Sequence, residues 1–153
     1  MKKVEIIIHP TTLDEPRNRQ KGLSKIYVKV DAVYFPQREW DDFTLSVLAE
    51  WSYSLIEMIK RESDETILRF IDGRWAIKLV RLSTDTFIAH FGTWDQVEEI
   101  FEVNFSEEVS FFQLCVEVQK ASERIINYME SKQYESPYLA SIKKWSMQLK
   151  VLH

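Results

Sequence analysis

Glycine is scarce in this chain. Three glycines occur in 153 residues, alongside four prolines and a single cysteine, Cys115. A loop that cradles phosphate needs several glycines at short spacing, so P-loop and dinucleotide-binding fingerprints are missing. One cysteine rules out an intrachain disulfide framework and a cysteine-based zinc cluster. The histidines are His9, His90 and His153, and no His-x-x-x-His or His-Glu-x-x-His spacing links them. No Gly-x-Ser-x-Gly elbow accompanies any serine. No apolar run approaches the roughly 18 residues of a membrane span. The first apolar residues are interrupted by Glu5 and stop at His9-Pro10, which reads as a strand rather than a signal peptide. These absences describe a cytoplasmic chain in a reducing compartment, with no cofactor and no membrane partner.

What is present points to a folded domain. Hydrophobic residues make up 45% and aromatics 13%, including five tryptophans, which is far from the composition of a disordered chain. The net charge of −4 and thinly spread basic residues argue against a nucleic-acid partner held through phosphates. The length suits one domain over residues 1–153.

Periodicity divides the chain into elements. Val4 to Ile8 is β-branched and reads as a strand, and the polar residues 11–24 read as a mobile loop. Ile26, Val28 and Val30 alternate with polar positions, which predicts a second strand reaching Phe35. Trp40, Phe43, Val47, Trp51, Leu55 and Ile59 then recur at helical spacing, predicting a central helix over about residues 41–60. Leu45 and Ile56 lie off that stripe, so the helix should be covered on more than one side. Residues 66–91 return to alternation, with Asp72-Gly73 a hairpin signal and Ser83-Thr84-Asp85 a second turn. Thr93-Trp94-Asp95-Gln96 has capping-box spacing, yet Phe101, Val103 and Phe105 alternate soon afterwards and suggest another strand over about 99–105, with Thr93 to Glu98 left open. Ser106 is placed to cap a long helix, with Glu107 and Glu108 in its first turn. Phe111, Leu114, Cys115, Val118, Ala121, Ile125 and Met129 form its apolar stripe. Ser136-Pro137 opens a last helix whose buried face is Tyr138, Ile142, Trp145 and Leu149. The expected fold is α+β: a single antiparallel sheet of about five to six strands, one central helix inserted after the second strand, and two C-terminal helices.

Candidate functional residues are few. Asp41 and Asp42 fall in the expected first turn of the central helix, where each carboxylate offsets the helix dipole by about 0.3–1 kcal/mol. Cys115 lies on an apolar stripe and reads as a small core hydrophobe. The charge pattern is more suggestive. From Thr93 to Phe112 there are six acids (Asp95, Glu98, Glu99, Glu102, Glu107 and Glu108) and no lysine or arginine, with Trp94 in the same stretch. An acidic surface carrying an aromatic suits a basic protein partner, and it equally suits a solvated strand edge. The candidate partner-binding residues are therefore Trp94, Asp95, Glu98, Glu99 and Glu102, with Asp41, Asp42 and Tyr53 as a second patch.

The blocks Tyr34-Phe35-Pro36, Trp40-Asp41-Asp42-Phe43, Trp51, Phe70-Ile71-Asp72-Gly73 and Phe101-Glu102-Val103 give the chain a family likeness over roughly residues 26–130. It resembles small single-domain bacterial proteins of uncharacterised families, among them immunity proteins of polymorphic and contact-dependent toxins. That resemblance implies a stoichiometric inhibitor that occludes a toxin, with no cofactor and no catalytic residue. The alternatives are a homo-oligomeric or scaffold protein, and an enzyme with a site assembled around His90.

Overall fold

The computed structural model describes residues 1–14 and 22–152; half of the segment read as a mobile loop, residues 15–21, lies outside the described residues. The α+β class holds, with three helices among the described residues, but the strands form two antiparallel sheets of four rather than one sheet. The first sheet contains β1 (Val4–His9), β2 (Ser24–Val30), β3 (Val33–Phe35) and β4 (Asp41–Asp42). β2 lies at its centre and pairs with all three others. The second is a meander of β5 (Glu65–Arg69), β6 (Trp75–Arg81), β7 (Thr86–Asp95) and β8 (Ile100–Ser110). A parallel bridge between Lys2 and Val109 joins the sheets.

The expected second strand is a hairpin. Asp31 adopts a left-handed backbone at φ 53°, the chain reverses, and Val33 pairs back onto Val30. The reversal pairs Phe35 with Val28 in the first sheet and turns its ring toward the second. Its ring meets Phe70, Trp75, Phe91 and Phe105 edge-on, with centroids 5.3 to 6.1 Å away. Each such pair adds about 0.5–1.5 kcal/mol beyond its buried area, so this cluster is a principal seam between the sheets.

Helix α1 (Thr44–Arg61) starts three residues later than the periodicity suggests, and its first turn carries no acid. Asp41 and Asp42 are a two-residue strand paired with Lys25 and Ser24. The helix is covered on several sides as expected. Val47, Trp51 and Leu55 are buried, and so are Leu45 and Ile56 off the stripe. Helices α2 (Phe111–Ser131) and α3 (Pro137–Leu152) complete the layer, with α2 also lying against β1. The α2 stripe from Leu114 to Met129 is buried as expected; on α3, Ile142 and Leu149 are buried while Tyr138 and Trp145 are half-buried. No helix among the described residues is long and apolar enough to cross a membrane.

The entry to α2 also differs from expectation. Ser106, Glu107 and Glu108 remain in β8, opposite His90, Ala89 and Ile88. The cap is Ser110, whose Oγ accepts the Gln113 N–H at 3.2 Å and donates to Asp85 Oδ2 at 2.6 Å. Asp85 Oδ1 accepts the Phe112 N–H at 2.7 Å, so a carboxylate from the preceding hairpin serves the helix start.

Candidate functional site

Gly92 determines the shape of the β7–β8 end. A Cβ there would stand 1.8 Å from the Glu102 carbonyl oxygen, so only glycine permits this approach of the strands. The register slips at this point: Phe91 pairs with Phe105 and Gly92 with Val103, leaving Asn104 as the extra residue of a bulge. Half-buried Phe105 stacks on the core residue Phe91 at 4.5 Å. Val103, which simple alternation would put beside it, lies opposite Gly92 and is 51% exposed.

Beyond the bulge the hairpin ends in a turn over residues 96–99, and Asp95 organises it. Its Oδ1 accepts the N–H groups of Val97 at 2.9 Å and Glu98 at 3.1 Å, and its Oδ2 takes Arg74 Nη1 at 3.2 Å. The Glu98 N–H is the main reason its carboxyl sits below the usual aspartate range. The Thr93–Gln96 capping-box spacing does not start a helix: Thr93 lies in β7 opposite Glu102, and Asp95 holds the turn. Val97 is 93% exposed and Ile100 51% exposed, beside the exposed Glu98, Glu99 and Glu102.

Trp94 is half-buried and lines a depression of about 290 Å³ with Arg69, Arg74, Trp75, Asp95 and Val97. A neighbouring depression of about 300 Å³ lies between α1 and α3, lined by Ser46, Glu50, Tyr53, Tyr138 and Trp145. Ile71 lines both, and the Arg69–Glu50 ion pair at 3.1 Å spans from one to the other. Tyr53 meets Trp145 edge-on at 5.0 Å, and Lys144 covers the Trp145 ring at 4.5 Å. The structure therefore brings Trp94, Asp95, Glu98, Glu99 and Glu102 to one end of the second sheet, with Tyr53 in the adjoining hollow.

The second patch does not assemble. Asp41 is exposed and paired with Lys25 Nζ at 2.7 Å. Asp42 is fully buried. Its carboxylate accepts the Trp40 indole N–H at 3.0 Å, the Phe43 N–H at 2.7 Å and the Asp72 N–H at 3.1 Å. It is a strut of the fold, and no partner can reach it there. Burial raises its pKa despite these bonds.

His90 is cross-strand, with Nδ1 hydrogen-bonded to Ser106 Oγ at 2.6 Å, and it lines neither depression. Burial pushes the Cys115 thiol up to about 12, as suits a core residue. Among the described residues no three His, Cys, Asp or Glu side chains converge as metal ligands would.

No family model, curated protein or solved structure matches this chain. Its site has to be read from its own side chains. Sequence reasoning missed Val97, Ile100 and Arg74. The two apolar residues were visible inside the acidic stretch. Arg74 comes from another hairpin, which no local charge count could reveal.

Proposed function

We propose that this chain is a non-catalytic protein-binding domain that occludes a basic partner, in the manner of an immunity protein masking a toxin. The observation that carries the reading is the β7–β8 tip. Val97, Ile100 and Val103 are exposed apolar side chains set among Glu98, Glu99 and Glu102, with Trp94 at the margin. Apolar contacts ringed by charge are how interfaces join affinity to steering. Isolated exposed apolar residues are ordinary on any surface; here they lie on one turn and its returning strand.

Arg74 offsets one acid of the group, Asp95, and leaves the charge to the three glutamates. In a partner with a basic cleft, those glutamates would occupy the place of an anionic ligand. The family resemblance of the sequence supports the same class of function. Affinity capture from the native cell, with the intact chain as bait and mass spectrometry as readout, tests the proposal. One partner retained near equal stoichiometry, and released by high salt, is the expected result. A bait that returns only copies of itself supports the homo-oligomer instead.

A further inference from the structure

The outer strands of the two sheets are finished differently. The free side of β1 is closed by α2: Gln113 Oε1 accepts the Val4 N–H at 3.2 Å, Gln113 Nε2 donates to the Val4 carbonyl at 2.9 Å, and Glu117 Oε1 accepts the Ile6 N–H at 3.3 Å. The end of β5 is closed by α1, where Trp51 Nε1 donates to the Arg69 carbonyl at 2.7 Å. β8 is the last strand of its meander. Among the described residues its outer side gives one backbone bond, from Lys2 N–H to the Glu108 carbonyl at 2.9 Å. That bond fixes which way the pleat faces. The Glu108 carbonyl points outward, and by the two-residue period so do the N–H and C=O of Ser106. Among the described residues nothing pairs with this edge from Ile100 to Glu107.

An open edge is a template for another strand, and proteins usually block it with charge or bulges. β8 has both, and they act selectively. Its acids are Glu102, Glu107 and Glu108, and no lysine or arginine occurs between Thr93 and Phe112. A second copy pairing on this edge would bring carboxylates against carboxylates, which disfavours self-association. An extended segment bearing lysine or arginine meets the opposite situation. Val103 and Ile100 offer it apolar contact on the same strand.

We infer that β8 receives an extended basic segment of the partner protein as an added strand. The inference rests on the protein-binding reading above and names how that partner is held. Backbone hydrogen bonds would provide affinity, while the glutamates select against acidic segments and against a second copy.

The test uses a short peptide of alternating lysine and valine, with two controls. One control is N-methylated at alternate backbone amides, keeping every charge and side chain while removing ladder donors. The other replaces lysine with glutamate. Binding is followed by amide chemical shifts and hydrogen exchange of the intact chain. The expected result is binding of the unmethylated basic peptide, with exchange at Ser106 slowed about tenfold or more. Methylation should weaken that binding by about tenfold or more, and the acidic peptide should not bind. Equal binding of the methylated and unmethylated basic peptides means attraction of charge alone and overturns strand addition. So does failure of both. Peptide failure with a partner captured from the cell overturns this inference and leaves the binding function standing; failure of the capture is what removes the function.

Discussion

Asp42 holds the Asp72 backbone N–H between both its carboxylate oxygens, at 3.1 and 3.2 Å, across 30 residues of chain. This joins the short strand before α1 to the β5–β6 hairpin, and the Trp40 indole and Phe43 N–H share the same carboxylate. Replacing Asp42 with alanine removes the acceptor that these part-buried donors share. The expected loss is about 2–4 kcal/mol, read as a lower denaturant midpoint at unchanged slope. A midpoint within error of the wild type would mean that the strut is dispensable.

The same residue sets a pH signature. Burial raises its native pKa above the ordinary 3.8, so the native state holds this proton more tightly than the unfolded chain does. Stability from this group is fully present below 3.8 and is lost as pH rises through the raised native value. Asp42→Asn cannot titrate. The stability of the wild type relative to Asp42→Asn should therefore be greatest in acid and fall across that window. A difference that stays flat, or grows with pH, contradicts the assignment.

Gly92 allows a sharper test of the bulge. With its Cβ 1.8 Å from the Glu102 carbonyl, Gly92→Ala must push the strands apart. A loss of at least about 2 kcal/mol is expected, with backbone shifts centred on Glu102 and Val103. An alanine accommodated at no cost would show that β7 and β8 do not approach as closely as described.

The glutamates of the hairpin tip should act on association and leave stability alone. Glu98, Glu99 and Glu102 are exposed. Reversing all three to lysine should change unfolding free energy by no more than about 0.5 kcal/mol per site. With a basic partner, the association rate should fall and its dependence on salt should flatten. An unchanged rate at low salt removes these residues from the interface.

The helices and the β5–β6 hairpin were legible because burial follows simple periods. The α2 stripe from Leu114 to Met129 and the hairpin at Asp72-Gly73 needed no tertiary information. The errors share a cause: a distant group overruled the local pattern. Asp41 and Asp42 read as a helix start because negative charge belongs there, yet Lys25 and the Asp72 N–H claim them for a strand and a strut. Ser106 had the look of a cap until β7 supplied His90, Ala89 and Ile88 as ladder partners for residues 106–108. Alternation identifies a strand but not its sheet. The turn at Asp31 therefore hid the division in two, even though aspartate tolerates the left-handed backbone it adopts. For the candidate site, the acidic stretch was legible, whereas the bulge that turns Val103 outward depended on Gly92 meeting Glu102 across the hairpin.

The central claim, that the β7–β8 end is a protein-binding face, is tested most directly by hydrogen exchange on the intact chain, free and in complex with its captured partner. The expected footprint is slowed exchange confined to residues 94–107, with β1 and α3 unchanged. Protection on the α2 or α3 surface, with residues 94–107 exchanging as in the free chain, would contradict it.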